Sequence, residues 1–151
     1  QPDLVTFCRK IKDQWLLVKL DTNGRDPDIL AYMIQEWIVD YIAMDIKTDG
    51  TLRERLINSK ESLTPYHRSI ALLLEWTIDY EFRTTMIKGY HTIENFHPMV
   101  DQIRWAKHYY LQSYRPWETL EKDFDGRTFS EDEMNIFCDI AHRYVESCRV
   151  R

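Results

Sequence analysis

Val39-Asp40-Tyr41-Ile42-Ala43-Met44-Asp45-Ile46-Lys47 decides how the rest of this chain is read. It opens as an apolar, β-branched and aromatic run of strand length and closes with a carboxylate and an amine two residues apart. Alternate residues of a strand share a face, so Asp45 and Lys47 point the same way. A strand covered by helices on both sides offers no favourable place for a charge, which puts the pair at the strand's exit or in an ion pair. On this stretch alone both readings stay open: the edge of a site, or a structural salt bridge.

Upstream, Leu4, Phe7, Cys8 and Ile11 recur at helical spacing behind Asp3, a candidate N-cap. Leu16 to Leu20 reads as a buried strand, left through the polar Asp21-Thr22-Asn23-Gly24. Asp26 and Pro27 make a helix start, with Ile29, Leu30, Met33 and Ile34 as its inner face. Downstream, the polar residues 48–63 read mostly as loop, with a short helix near Leu52 to Ile57. Thr64-Pro65 repeats the cap-and-proline signature and opens a helix through Ile70, Leu73 and Leu74. Ile78 to Ile87 is a third strand, carrying Arg83. Thr92 or His97 starts the next helix, since Pro98 suits a first turn better than an interior. Its face is Met99, Val100 and Ile103. Lys107 to Tyr114 is a fourth strand, left through Arg115-Pro116. Ser130 and Glu133 form a capping box for a last helix, whose stripe runs Met134, Phe137, Cys138, Ala141, Tyr144, Val145 and Cys148. Arg143 and Arg149 suit its carboxyl end.

This alternation predicts an α/β fold: four parallel strands joined by right-handed helical crossovers, in one domain covering 1–151. In that class the chemistry gathers at the carboxyl ends of the strands. Each strand delivers polar groups there: Asp21, Thr22 and Asn23; Asp45 and Lys47; Arg83; Gln112 and Arg115. They converge if the strands are neighbours.

Composition narrows the function. The 151 residues carry a formal net charge of −5 with no Lys/Arg block, which argues against binding nucleic acid or anionic lipid. No uninterrupted apolar run, Ile70 to Leu74 among them, comes near the ~18 residues of a membrane span. Cys8, Cys138 and Cys148 are odd in number and lack metal-site spacing, so they read as reduced core thiols of a cytoplasmic protein. The five histidines form no HxxxH or HExxH pattern. Gln1 follows no initiator Met and opens no signal-like region, as expected of a fragment or processed chain.

The tryptophans are oddly placed. Trp15, Trp37, Trp76 and Trp105 each fall between the end of a predicted helix and the next strand, where glycine is the usual residue, and Trp117 follows Arg115-Pro116 in a turn. Ordinary usage of ~7% implies about ten glycines in this length, whereas the chain has 4. Either this is coincidence or the five are glycines encoded by UGA. The nucleotide sequence tests this directly, since UGG at the five positions would end the idea.

The strand-end motifs, Leu20-Asp21-Thr22-Asn23-Gly24, Ala43-Met44-Asp45-Ile46-Lys47 and Phe82-Arg83-Thr84-Thr85 in this order, resemble the later part of radical S-adenosylmethionine enzymes. The resemblance is closest to the glycyl-radical-enzyme activases, in particular anaerobic ribonucleoside-triphosphate reductase activating proteins, and spans nearly the whole chain. It implies the later part of a partial (β/α)6 barrel, with the CxxxCxxC loop of the 4Fe-4S cluster outside this chain. It implies S-adenosylmethionine as cofactor and binding roles for Asp21, Thr22, Asn23, Asp45, Lys47, Arg83 and Arg115. Within that set, Asp21, Thr22 and Asp45 would surround a monovalent cation, with Asp21 and Asp45 as its metal ligands, and Lys47 would meet the methionine carboxylate. At the last strand end some relatives have histidine where this chain has Tyr114-Arg115. No catalytic side chain is implied. The implied partners are a glycyl radical enzyme, as substrate protein, and an electron donor such as flavodoxin or ferredoxin. The alternatives are another radical S-adenosylmethionine enzyme, acting on a small molecule or peptide, and a small α/β module using the Asp and Lys strand ends to bind a ligand.

Overall fold

Among the described residues ten elements alternate: α1 Leu4–Lys12, β1 Lys19–Thr22, α2 Pro27–Gln35, β2 Tyr41–Asp45, α3 Thr64–Glu75, β3 Asp79–Met86, α4 Ile93–Asp101, β4 Tyr109–Ser113, α5 Glu131–Ala141 and β5 Cys148–Val150. They come from a computed structural model that describes residues 3–47, 62–116 and 124–151. The short helix expected near Leu52 to Ile57 and the turn at Trp117 lie outside the described residues. The strands form one sheet in the order β1-β2-β3-β4-β5, with β1 and β2, β3 and β4, and β4 and β5 paired in parallel. The fold is therefore α/β with a parallel five-stranded sheet alternating with helices.

Local chemistry explains the helix starts. Asp26 accepts from the Ile29 N–H at 3.0 Å just before Pro27, satisfying a donor that the first turn would otherwise leave open. Thr92 and Asn95 form a reciprocal capping box at the start of α4, so Thr92, not His97, opens that helix and Pro98 sits inside it. Ser130 and Glu133 do the same for α5. Two starts differ from expectation. Asp3 makes no side-chain cap bond. Leu63, not Thr64, occupies the cap position of α3, with the Ser62 hydroxyl accepting from the Thr64 N–H at 3.2 Å.

The strands depart from the sequence reading in two places. β1 begins at Lys19, where it meets Tyr41 of β2, instead of at Leu16; Leu16 and Leu17 are exposed and only Val18 is buried ahead of the strand. The last helix ends at Ala141, and the chain that was expected to continue it forms a fifth strand. Val145 and Cys148 are both buried, which imitates a helical stripe, but main-chain bonds from Tyr109 N–H to Ser147 and from Arg151 N–H to Leu111 draw this segment into the sheet.

Two compact units divide the chain: Gln1–Asp45 with Ser62–Glu81, and Ile46–Glu61 with Phe82–Arg151. The first packs α2 against α3 over a core that includes Leu30, Met33, Ile42, Met44 and Leu73. The second packs α5 against α4, β4 and β5 around Phe82, Phe96, Met99, Tyr109 and Leu111.

Candidate functional site

In the first unit the end of β1 turns sharply. Thr22 Oγ1 accepts from the Gly24 N–H at 3.1 Å and Asn23 Oδ1 from the Arg25 N–H at 3.2 Å, so both side chains shape the turn. Gly24 has φ +71, and a Cβ there would lie 2.1 Å from Met44 Cε. Only glycine fits this corner without strain. The buried Ser69 hydroxyl of α3 donates to the Gly24 carbonyl at 2.9 Å and fixes the turn from below.

The register pairs Asp21 with Ala43 and Thr22 with Met44, so Asp45 stands one residue past the last paired rung. Asp21 is exposed and Asp45 half-buried. A cleft of about 340 Å³ borders the turn, lined in part by Leu20, Asp21, Thr22, Asp26 and Ile29. Asp21, Thr22 and Asn23 at the end of β1 and Asp45 at the end of β2 thus lie on adjacent strands.

Lys47, Arg83 and Arg115 belong to the second unit. The Ile46 N–H donates to the Arg83 carbonyl at 2.7 Å, which puts exposed Lys47 one residue beyond the level of Arg83. Arg83 lies in the middle of β3, not at its carboxyl end. It pairs with Tyr110, and Arg115 follows five residues later, roughly 16 Å further on if the chain stays extended. Gln112 is only two residues past that rung. The second unit therefore brings Lys47 and Arg83 to one level and leaves Arg115 beyond it.

Three buried residues here were not singled out by sequence. The Tyr109 hydroxyl donates to Thr84 Oγ1 at 2.7 Å, and Thr84 in turn donates to the Ile46 carbonyl, a buried relay that pins the main chain just before Lys47. His91 is 3% exposed, and its Nδ1 accepts from the Ile87 N–H at 2.9 Å. Burial is the main reason its pKa is lowered, so the neutral ring carries its proton on Nε2. That nitrogen lies beside the Lys47 main chain without a hydrogen bond of standard geometry. A lone threonine in a strand-like run, or one histidine before a capping threonine, carries no pattern that marks such roles.

The first unit's strand ends offer carboxylate, hydroxyl and amide oxygens, and the second unit's an ammonium and a guanidinium, each unit taken by itself. The former suit a hard cation and the latter a carboxylated ligand. An iron–sulfur cluster does not fit this chain's described residues. All three cysteines are buried and burial pushes each thiol pKa up, the reverse of what a thiolate ligand needs. Among the described residues no group of three or more His, Cys, Asp or Glu is placed to hold a metal ion, so a cation beside Asp21 and Asp45 would draw on hydroxyl and carbonyl oxygens too. No described helix is long and apolar enough to cross a membrane.

Comparison with solved structures places this architecture in the α/β class of a domain of pyruvate-formate lyase-activating enzyme from Bacteroides vulgatus. The two superpose with a TM-score of 0.72 over 98% of this chain and 89% of that one, at 16% identity, a likeness of fold. In sequence the chain is similar to a protein of Methanocaldococcus jannaschii assigned as a glycyl-radical enzyme activating enzyme, 21% identical over 153 aligned positions. That match covers 98% of this chain and 64% of the relative, so the chain spans less than two thirds of the relative's length. No protein-family model matches the chain.

Proposed function

We propose that this chain supplies the later strands of a radical S-adenosylmethionine activase, the enzyme class that installs a glycyl radical on a partner protein. One observation supports the reading above others: the chain is similar along 98% of its length to a protein assigned as a glycyl-radical enzyme activating enzyme, and it carries Asp21, Thr22 and Asp45 at the carboxyl ends of neighbouring parallel strands. In this reading the fold is the later part of a partial (β/α)6 barrel, 1–151 is one portion of a longer cytoplasmic protein, and the cluster's cysteine ligands lie outside this chain.

Asp21 and Asp45, with Thr22, hold a monovalent cation, while Asn23 shapes the turn that presents them. Lys47 pairs its ammonium with the cofactor's methionine carboxylate, held in place by the Thr84 and Tyr109 relay behind Ile46. Arg83 approaches the cofactor from β3, and Arg115 binds at the outer rim. When bound, S-adenosylmethionine with the cluster supplies a 5′-deoxyadenosyl radical that takes hydrogen from a backbone glycine. This chain's residues orient the cofactor and exclude water. The strand-end motifs favour an anaerobic ribonucleotide reductase as the glycyl radical enzyme partner, with flavodoxin or ferredoxin as electron donor.

The test uses the full-length protein, reconstituted anaerobically with iron and sulfide and given S-adenosylmethionine and a reductant. Release of 5′-deoxyadenosine is expected. A protein that carries a stoichiometric cluster and releases none would overturn the assignment.

A further inference from the structure

Among the described residues, three that are not glycine have positive φ, and all three are tryptophan: Trp15 at +60°, Trp37 at +54° and Trp105 at +71°. Residues that tolerate this region are asparagine, aspartate and histidine, whereas for a bulky side chain it is a true outlier. None of the described asparagines, aspartates or histidines adopts it here. Trp105 shares its +71° with Gly24, whose place permits no side chain.

The hydrogen bonds around these residues are those of helix stops built for glycine. After α2, the Trp37 N–H donates to the Ile34 carbonyl at 3.1 Å and the Ile38 N–H to the Met33 carbonyl at 2.9 Å. Together they make a Schellman motif with Trp37 at the left-handed position, where glycine is usual. Trp15 closes the turn after α1 through its N–H to Lys12 at 2.9 Å. Trp105 ends the turns that follow α4, its N–H donating to Tyr144 at 2.8 Å.

The indoles gain little in return. Trp15 is 96% exposed, Trp37 81% and Trp105 74%. Arg104 lies over the Trp105 ring at 6.0 Å, the outer limit of a useful cation–π contact. Trp37 and Trp76 also wall a cavity of about 440 Å³ with Ile34, Val39, Asp40 and Ile78. This cavity sits where helices lead into strands, away from the strand-end acids.

We infer that the protein made in its source cell has glycine at 15, 37 and 105, because that cell reads UGA as glycine and the chain was written with a table that reads UGA as tryptophan. A reassigned codon acts wherever it occurs, so Trp76 and Trp117 carry the same substitution if UGA encodes them. The backbone at Trp76, with φ −92°, does not itself require glycine. Replacing all five brings the 4 glycines of this chain close to the count expected from ordinary usage. The exposed indoles and the cavity they wall are then features of the translated sequence, not a docking face or a ligand site.

The gene decides the coding claim: UGA is expected at 15, 37 and 105, and UGG at any of the three would overturn it. Peptide mass spectrometry of the protein from its source cell should read glycine there, and tryptophan would overturn the inference equally. The conformational claim is tested on the recombinant chain by comparing glycine with alanine at each site. Trp15→Gly, Trp37→Gly and Trp105→Gly should each melt roughly 2–6 °C above the matching alanine variant. At Trp76 the order should reverse. Glycine variants no more stable than alanine at the three left-handed positions would contradict the assignment.

Discussion

The two ends of β1 and β2 in the first unit handle charge in opposite ways. At the amino ends, charge is sequestered: Glu81, 1% exposed, takes Lys19 Nζ at 3.1 Å and the Tyr41 hydroxyl at 3.0 Å. Beside it, Asp40 pairs with Lys12 and accepts from the Val18 N–H at 2.7 Å. At the carboxyl ends, Asp21 and Asp45 stand on adjacent strands with access to solvent, and neighbouring Thr22 and Asn23 hold the turn's main chain. A buried carboxylate destabilises a fold when its cation is removed, because the charge is left uncompensated. Two acids at adjoining strand exits, beside a glycine corner, stand at the end of the sheet where parallel α/β folds take their ligands. The difference separates residues whose loss should cost stability from residues whose loss should cost binding.

The most severe break in the comparison is Lys19→Met. It strips the buried Glu81 carboxylate of its cation and should lower unfolding free energy by about 3 kcal/mol, keeping the Tyr41 bond. Urea denaturation measures this, and a loss under about 1 kcal/mol would mean that Glu81 is not held by that pair. Gly24→Ala comes next. Its Cβ meets Met44 Cε and its φ is left-handed, so the cost should be about 2 kcal/mol by the same assay. An alanine variant as stable as the parent would refute the corner's geometry.

Asp40→Asn is milder, about 1–2 kcal/mol at neutral pH. Burial pushes the Asp40 carboxyl up, but Lys12 and the Val18 N–H outweigh it and hold it below the ordinary carboxylate range. Because its folded pKa lies below its unfolded value, the stabilisation is complete above the unfolded value near ~3.9 and fades as pH falls through the folded one. The gap between Asp40→Asn and the parent should therefore close in acid. A gap independent of pH would point to packing instead of charge.

How far the sequence carried follows the same physics. Helix starts were legible where the cap is local and of standard type: Asp26 before Pro27 and Ser130 with Glu133 announce themselves within four residues, whereas Thr92 with Asn95 left His97 open as an alternative. Helix ends were legible only as an anomaly, since the junctions at Trp15, Trp37 and Trp105 carry the residue least suited to them. β5 was hidden because three residues are too few to show a strand period, and Leu16 and Leu17 misplaced β1 because apolar residues need not be buried. At the site, polar residues at strand exits could be read, but the level of Arg83 and the overshoot of Arg115 depend on register. The Tyr109–Thr84–Ile46 relay and buried Glu81 depend on contacts between distant strands, for which no spacing in the chain gives notice.

The central claim is that the carboxyl strand ends bind S-adenosylmethionine through Asp45 and Lys47. Calorimetric titration of S-adenosylmethionine into the full-length protein, reconstituted with iron and sulfide, tests it most directly when Asp45→Asn and Lys47→Ala are set beside Asp40→Asn. Each of the first two variants should weaken binding about tenfold or more, the loss of one charge-assisted contact, while Asp40→Asn binds as the parent does. Unchanged affinity in both Asp45→Asn and Lys47→Ala would return these residues to the role of a structural salt bridge and contradict the account.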